Sequence, residues 1–339
     1  MIDVAPFSHR LIRPFVTAKG TTTHRDGWIV RCTLDGWIGR GEAAPLPGFC
    51  DDEPQQIRRD IERLHAIADR PPGLPELDSW VRAHASTAVV RHALGSAVVD
   101  ALAQAKHKPI ARLLNPRART DVPLNHLYVD DATLLHATML GCQTVKLKVG
   151  VRPLADDVER VRRVRGIIGP GVDIRLDANG AWSEQEAEAA IDAFAPWGVR
   201  TIEDPVHPRQ FASMARLRGR GVDIAADEAV TSVAVLKGLL AANAVDAIVV
   251  KPMRIGTPMA ALKLIELADH YRLGTIVTTT IDGAIGRMMA LHIAAAAPTT
   301  RLRACGLNTA GWLAEDHGTT PDMTGSHVDA PTQPGLGLP

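Results

Sequence analysis

A short apolar run that ends in a charged residue recurs five times in the middle of the chain, at intervals of about 25 residues. That interval fits one strand followed by one helix in a parallel βα array. The runs end at Lys148, Asp177, Glu203, Asp227 and Lys251. In an eight-stranded βα barrel the carboxyl ends of the strands meet at one mouth, where active sites lie. The pattern therefore predicts an α/β fold with a (β/α)8 barrel whose charged strand ends share one site.

The first of these runs, residues 144–150, alternates between two faces. Val145 and Leu147 fall on one face of an extended chain, and Lys146 and Lys148 fall on the other. Two lysines on an inward face are costly unless anionic groups meet them. An edge strand with a solvated lysine face is the ordinary explanation. The charged ends of the later runs favour the shared site instead.

Residues 1–115 follow a different pattern. A hairpin with an Asp-Gly turn at residues 35–36 precedes helical periodicity, which is typical of an α+β domain. We expect this unit to cap the barrel. Its predicted elements are strands over 10–16, 28–34 and 37–42 and helices over 54–68 and 86–104.

Residues 116–310 are predicted to form the barrel, and the Pro- and Gly-rich residues 311–339 to return to the capping domain. Ser183 and Glu186 have the spacing of a capping box at a helix start. The predicted strands span 122–127, 144–150, 172–176, 199–202, 222–226, 247–250, 275–279 and 302–305. The clearest helices span 132–140, 154–165, 184–195 and 259–268.

Composition restricts the class of protein. The chain has 339 residues, 46% of them hydrophobic, which suits a large core. A net charge of +0 and 4% aromatic residues argue against nucleic acid or an anionic membrane surface as partner. The four cysteines form no C-x-x-C pair, the N-terminus has no signal-peptide pattern, and the apolar residues 288–297 are too short to span a bilayer. We expect a cytoplasmic protein that binds a small molecule, and a homo-oligomer stays open.

Asp177, Glu203 and Asp227 offer three monodentate oxygen ligands from neighbouring strands. A hard divalent cation suits that set, and Mg²⁺ is the first candidate. The alternative is that each acid caps the following helix. Three acids in register favour the metal. The adjacent acids Asp204 and Glu228 are expected to point away and to lie behind the ligands or serve the structure.

Lys148 and Lys251 are expected to face each other across the mouth. A lysine near a cation and other lysines has a lowered pKa because its charged form is disfavoured. Such a lysine suits a general base for a carbon acid next to a carboxylate. A Schiff base is a competing use of a barrel lysine, but it would not need three clustered acids.

Five short motifs, taken as a set over nearly the whole chain, resemble the enolase superfamily and its muconate-lactonising subgroup: Lys146-x-Lys148, Asp177-Ala-Asn179, Glu203-Asp-Pro205, Asp227-Glu228 and Lys251-Pro252. The resemblance implies a capping domain before a modified barrel and one Mg²⁺ on the three acids. It implies that Lys148 and Lys251 are an acid/base pair on opposite faces of the substrate. It also implies that Lys146 supports Lys148 and the enolate, and that Asn179 lies behind the ligands.

Within that subgroup, residues 23–28 and 39–49 resemble loops of the o-succinylbenzoate synthases that close over the substrate. The implied reaction is a Mg²⁺-dependent syn dehydration of a succinyl-hydroxycyclohexadiene carboxylate, a lyase step of menaquinone biosynthesis. Arg25 and Phe49 are then candidates for substrate binding. Packing within the capping domain is the alternative for Phe49.

The predicted ends of strands seven and eight bear on specificity. Thr279, Thr280 and Asp282 are candidates for substrate binding, although Asp282 departs from the expected pattern and the hydroxyls could satisfy backbone groups. Residues 305–309 lack the acid pair with which related dipeptide epimerases hold a substrate ammonium. A racemase or epimerase of N-acylamino acids or dipeptides is the alternative function, and a non-catalytic binding barrel is the third.

Overall fold

The computed structural model describes residues 1–17 and 20–338 of the chain. An antiparallel sheet with helices forms the N-terminal part, and a ring of parallel strands follows. This confirms the predicted fold class, a TIM-like barrel preceded by an α+β capping domain. Within the described ranges, every helix is too short or too polar to span a bilayer.

The capping part contains the predicted hairpin. Asp35 and Gly36 both have positive φ angles, 50° and 84°, as a two-residue Asp-Gly turn requires. The strands are β1 (Ile2–Thr17), β2 (Gly20–Leu34) and β3 (Trp37–Ala43), paired in that order. The helices are α1 (Pro54–Leu64), α2 (Leu74–His84), α3 (Ala88–Ala105) and α4 (Ile110–Leu114).

Strand β3 lies directly against helix α3 because glycines face alanines. A Cβ atom at Gly39 would lie 2.0 Å from the carbonyl oxygen of Ala97, and one at Gly41 would lie 1.9 Å from that of Ala93. No side chain fits in such a gap, so the alternate glycines of β3 match the alanine-rich face of α3. This contact sets the position of residues 44–49, which follow β3 and reach the site.

The barrel part alternates strands and helices. Its strands are β4 (Asp121–Pro123), β5 (His126–Leu127), β6 (Thr144–Lys148), β7 (Asp173–Asp177), β8 (Val199–Glu203), β9 (Asp223–Ala226), β10 (Ala247–Val250) and β11 (Gly274–Val277). Its helices are α5 (Asp131–Met139), α6 (Leu154–Ile168), α7 (Glu184–Phe194), α8 (Phe211–Leu217), α9 (Val233–Ala241), α10 (Pro252–Ile255), α11 (Pro258–His270) and α12 (Ala284–Ala296). The predicted capping box is confirmed at the start of α7, between Ser183 and Glu186.

Strands β5 to β11 form one sheet in sequence order, with parallel pairing throughout. Residues 302–306 occupy the eighth position and close the ring. The closing bridges are Thr275 to Leu302 and Thr278 to Gly306 on one side and Leu124 to Cys305 on the other.

The register of the sheet decides where the charged residues lie. Lys148 pairs with Asp177, and Asp177 pairs with Glu203. Val145 and Leu147 are completely buried on the opposite face of β6. Lys146 and Lys148 therefore point away from the helices, towards the ring's interior and mouth, as the alternation predicted.

The C-terminal residues contact both parts of the chain. Strand β12 (His327–Asp329) pairs antiparallel with β4, and the N–H of Leu336 donates to Oδ1 of Asp100 on α3 at 2.8 Å. The boundaries predicted at 115/116 and 310/311 stay predictions.

Candidate active site

A cavity of about 140 Å³ lies where the capping part meets the mouth of the barrel. Its charged and amide lining from the first strand ends is Lys146, Lys148, Asp177, Asn179, Asp227, Glu228 and Lys251. Its apolar lining is Phe15, Leu46, Phe49, Leu127, Ile281 and Trp312, and hydroxyls and amides from the last strands complete it. The cavity thus combines a charged group of side chains with an apolar wall.

The three predicted acids converge on one region. Asp177, Glu203 and Asp227 are almost completely buried at successive strand ends. The amine of Lys146 lies 2.9 Å from Oδ2 of Asp177 and also contacts Oε2 of Glu203. These residues are far apart in the chain and lie close together here because parallel strands end on the same side of the sheet.

Lys251 is held by two consecutive acids. Its Nζ lies 2.8 Å from Oδ1 of Asp227 and 2.8 Å from Oε1 of Glu228. Burial alone would lower the pKa of Lys251, but the two carboxylates outweigh it and the pKa is raised. The sequence predicted a lowered pKa and expected Glu228 to point away. The expectation for Glu228 is wrong because this side chain turns back to the amine and lines the cavity. The lowered pKa was predicted for a lysine beside a bound cation and stays a prediction.

Lys148 has a different environment. Its Nζ donates to Oδ1 of Asn179 at 3.1 Å, its one side-chain hydrogen bond among the described residues. The N–H of Asn179 in turn donates to Oδ1 of Asp177 at 3.2 Å. Asn179 therefore connects the amine of Lys148 to a candidate metal ligand and itself lines the cavity, and its predicted place behind the ligands stays a prediction.

The neighbouring acids differ in the direction in which their pKa values are shifted. Burial would raise the pKa of Asp177, but the amines of Lys146 and Lys148 hold it below its usual range. Burial raises the pKa of Glu203 despite the amine of Lys146. Burial and the charge of Asp227 raise the pKa of Asp204 well above its usual range.

Asp204 serves the structure, as expected. Its two carboxylate oxygens accept the backbone N–H groups of Asp227 and Glu228 at 3.0 and 2.8 Å. These bonds fix the turn that follows β9. Asp227 is thereby aimed into the cavity.

The donor set fits a hard cation such as Mg²⁺. Three carboxylates end neighbouring strands, and Oε1 of Glu203 is a buried acceptor with no hydrogen-bond partner among the described residues. The amine of Lys146 lies between Asp177 and Glu203, and the amine of Lys251 contacts Asp227. In the described ranges no three acidic, histidine or cysteine side chains are arranged as a metal cage. A cation would therefore have to displace the amine of Lys146 from its two acids.

Residues 130–339, more than half of the chain, match the family described as enolase C-terminal domain-like. The chain belongs to the enolase superfamily. This confirms the resemblance seen in the five motifs. Members of this superfamily use Mg²⁺.

The relatives within the enolase superfamily have several activities. Chloromuconate cycloisomerase CbnB of Cupriavidus necator is 28% identical, with 94% of this chain and 90% of the relative covered. L-Ala-D/L-Glu epimerase of Bacillus subtilis is also 28% identical, with 99% and 95% covered. An o-succinylbenzoate synthase of Desulfotalea psychrophila is 27% identical, with 81% and 84% covered.

Solved enolase-superfamily structures share the whole fold. A substrate-liganded complex of the Bacillus subtilis epimerase superposes with a TM-score of 0.89 at 26% identity, covering 100% of this chain and 98% of that one. A dipeptide epimerase from Enterococcus faecalis V583, complexed with Mg and the dipeptide L-Leu-L-Tyr, gives 0.89 at 24% identity, with 99% and 98% covered.

Two predicted substrate contacts need correction in this superfamily member. Arg25 is 1% exposed, does not line the cavity, and donates to the carbonyls of Ala44, Pro45 and Ile281. Asp282 is also buried outside the cavity wall, where its Oδ1 accepts the N–H and hydroxyl of Thr280. Both side chains form hydrogen bonds within the protein and do not face a substrate in the cavity.

The other candidates do line the cavity. Phe49, Thr279 and Thr280 all belong to its wall. The hydroxyl of Thr279 lies 2.9 Å from that of Thr309. The hydroxyl of Thr280 already donates to the carboxylate of Asp282, a side chain and not one of the backbone groups that the sequence offered as the alternative.

Two features were not predicted from the sequence. Phe15, Phe49 and Trp312 form an aromatic cluster with ring centroids 5.8 Å (Phe15–Phe49) and 5.6 Å (Phe15–Trp312) apart. Arg254 pairs with Glu228 at 2.6 Å and with Asp51 at 2.9 Å. Arg254 follows Lys251 by three residues, so its closeness to the site could have been predicted from the sequence. The sequence around Phe15 and Trp312 gives no such indication.

Proposed function

We propose that this enolase-superfamily protein is a Mg²⁺-dependent lyase that dehydrates a succinyl-hydroxycyclohexadiene carboxylate to o-succinylbenzoate. The supporting observation is the composition of the cavity. Lysine amines and an aromatic and aliphatic wall line the same cavity, and every acid that lines it is paired with a lysine. This combination suits an anionic substrate with a ring.

Asp177, Glu203 and Asp227 would hold the cation. Mg²⁺, when bound, supplies positive charge that stabilises the carboxylate oxygens of the substrate as the adjacent carbon loses its proton. All three acids are nearly completely buried, so little water competes for them.

Lys148 would act as the base and then as the acid. Its neutral amine takes the proton from the carbon next to the carboxylate, and its ammonium then protonates the leaving hydroxyl on the same face. One C–H bond and one C–O bond break, water leaves, and the ring becomes aromatic. The contact with Asn179 holds the amine at the cavity wall during both transfers.

Lys251 would act electrostatically. Its raised pKa keeps the amine charged between Asp227 and Glu228, where it faces the negative charge that develops on the substrate. A permanently charged amine suits electrostatic stabilisation of the substrate better than it suits removal of a proton.

The apolar wall would receive the ring. A cavity of about 140 Å³ is close to the roughly 150 Å³ of an engineered apolar cavity that binds benzene. Thr279 offers a hydroxyl near this wall for the succinyl group, whereas the hydroxyl proton of Thr280 is already donated to Asp282. The three acids among the described lining residues, Asp177, Asp227 and Glu228, are all paired with lysines, which disfavours a dipeptide with a free ammonium.

The test is a direct assay. The purified protein with Mg²⁺ is mixed with the cyclohexadiene substrate, and aromatisation is followed by absorbance and mass spectrometry. We expect o-succinylbenzoate in the presence of Mg²⁺ and none with EDTA. A fully active wild-type preparation in EDTA, or no product at any Mg²⁺ concentration, contradicts the proposal.

A racemase of N-acylamino acids is the second candidate. It is favoured by the placement of Lys148 and Lys251 on opposite strands, β6 and after β10, around one cavity, since racemisation needs a proton donor and an acceptor on two faces. The similarity to epimerases points the same way. Deuterium incorporation at the α-carbon of an N-succinylamino acid in D₂O, without loss of water, would identify this activity. Binding without either reaction would indicate a non-catalytic barrel.

A further inference from the structure

Arg25 is a buried cation whose hydrogen bonds all go to backbone carbonyls. It lies on β2, is 1% exposed, and donates from Nε to Ile281 at 3.0 Å, from Nη1 to Pro45 at 2.9 Å and from Nη2 to Ala44 at 2.5 Å. Bonds from a charged donor are the stronger kind, and a guanidinium can make several at once in a fixed fork. A single side chain therefore joins two segments that are distant in sequence.

Each of these segments carries a wall of the cavity. Ala44 and Pro45 begin the turn that brings Leu46 and Phe49 to the cavity from the capping part. Ile281 belongs to the barrel segment 278–281, all four residues of which line the cavity. Arg25 thus lies behind both walls and outside the cavity itself.

The bond to Ile281 falls on strained backbone. Ile281 has a φ of 61°, a left-handed conformation that a β-branched residue rarely adopts. Its side chain packs with Leu11 and Leu313 and against Phe15 and Trp312 of the aromatic cluster. Such a conformation persists when the surroundings over-determine it, and the guanidinium on its carbonyl is one of those constraints.

A second residue of the capping part holds the residues that follow this segment through their backbone N–H groups. Glu42, two residues before Ala44, accepts the N–H groups of Gly283 at 2.7 Å and Gly286 at 2.9 Å. Barrel residues 281–286 are therefore held by β2 through the carbonyl of Ile281 and by β3 through the N–H groups of Gly283 and Gly286. None of these bonds uses a side chain that faces the cavity.

We infer that Arg25 is a positioning residue that sets the separation of the two cavity walls and so the shape available to the substrate. It acts through Phe49 on one side and Ile281 on the other and touches neither substrate nor cation. This inference rests on the proposed function because it concerns the same cavity. The hydrogen bonds of Arg25 are the same whichever carboxylate substrate reacts there.

Hydrogen–deuterium exchange tests this role without any substrate. In Arg25→Met, we expect peptides covering residues 44–50 and 278–286 to exchange together, about tenfold faster or more, because a charged donor is lost from both. A peptide covering β7 should be unchanged. Arg31→Met, an exposed arginine on the same strand paired with Asp3, is the matched control and should behave as wild type.

Arg25→Lys keeps the charge and guards against loss of the fold. One ammonium cannot reproduce the fork, so we expect intermediate exchange in both segments. Faster exchange in only one segment, no change in either, or full protection in Arg25→Lys would each overturn the inference.

Kinetics give an independent readout. With an active substrate, Arg25→Met should raise KM about tenfold or more while the affinity for Mg²⁺ measured by calorimetry stays at the wild-type value. A loss of Mg²⁺ affinity equal to the change in KM would indicate general damage and contradict the inference. If Arg25→Met shows the expected exchange pattern but the wild-type protein does not dehydrate the substrate, the proposed function is wrong and the role of Arg25 is still supported.

Discussion

The ring of Phe49 lies over the amine of Lys251, with 5.7 Å between the ring centroid and Nζ. Phe49 comes from the capping part and Lys251 from the end of β10, so this contact joins the two parts at the cavity. Phe15 has the corresponding relationship to Lys148, at 5.9 Å. Each of the two lysines that we assign to the reaction therefore has an aromatic ring within 5.9 Å of its amine.

Phe49→Ala should weaken substrate binding. The substitution removes an apolar wall and a cation–π contact of about 0.5–2 kcal/mol. We expect KM to rise about tenfold with a smaller effect on kcat, measured by steady-state kinetics. Trp37→Ala, which removes an aromatic side chain from the distant hairpin, is the control and should leave KM unchanged. An unchanged KM in Phe49→Ala would mean that the ring only packs the capping domain.

Lys148→Ala should abolish turnover without unfolding the protein. Lys148 is exposed and makes a single side-chain hydrogen bond, so its loss should cost little stability. Losing the base should lower kcat by roughly a hundredfold or more. Lys106→Ala, at an exposed position after α3, is the control. Near-normal turnover of Lys148→Ala, measured beside a thermal melt, would remove this residue from the mechanism.

Arg254→Met should impair the reaction through Glu228. Without Arg254, Glu228 has only Lys251 as an ion-pair partner and should bind its amine more tightly, away from the substrate. We expect kcat to fall about tenfold or more. Asp51→Asn removes only the exposed end of this network and should retain most of the activity. Equal losses in the two variants would show that the loop contact matters and the pairing with Glu228 does not.

Glu42 should make stability depend on pH. Burial and the charge of Asp282 raise the pKa of Glu42 to about 7, although the N–H groups of Gly283 and Gly286 oppose the shift. A raised folded pKa means that the folded state binds this proton more tightly than the unfolded state. The free energy of unfolding should therefore fall as pH rises from about 4.5 to 7, by about 3 kcal/mol at most from this group.

The measurement is urea unfolding of wild type and Glu42→Gln across that pH range. The difference between the two should shrink as pH rises, because only the wild type loses the proton. Glu62→Gln, at an exposed position on α1, serves as the matched surface change. A difference that grows with pH would mean that Glu42 is stabilised as the carboxylate.

The barrel could be predicted because its signals are local. Each strand is a short apolar run, each ends in the residue that faces the mouth, and Ser183 with Glu186 marks a helix start by spacing alone. The three acids and the lysines followed from the parallel topology, since strands that run the same way end at the same edge. The capping hairpin likewise announced itself by its Asp-Gly turn.

The remaining features depend on contacts between distant segments. Arg25 pairs with backbone carbonyls, which have no sequence signature, so its residue type suggested a substrate contact instead. Glu228 departs from simple alternation because the chain turns immediately after β9, where Asp204 holds the backbone N–H groups. Helices α2 and α9 were not predicted. Helix α9 is apolar with weak periodicity. Helix α2 begins at a Leu-Pro pair close to other prolines, which resembles a loop.

The most direct test of the cation site is a crystal structure of the protein grown with Mg²⁺. We predict one ion bonded to oxygens of Asp177, Glu203 and Asp227 at about 2.0–2.1 Å, with the amine of Lys146 moved off Asp177 and Glu203. An ion bound elsewhere, or the amine of Lys146 still lying between Asp177 and Glu203 at saturating Mg²⁺, would contradict the account.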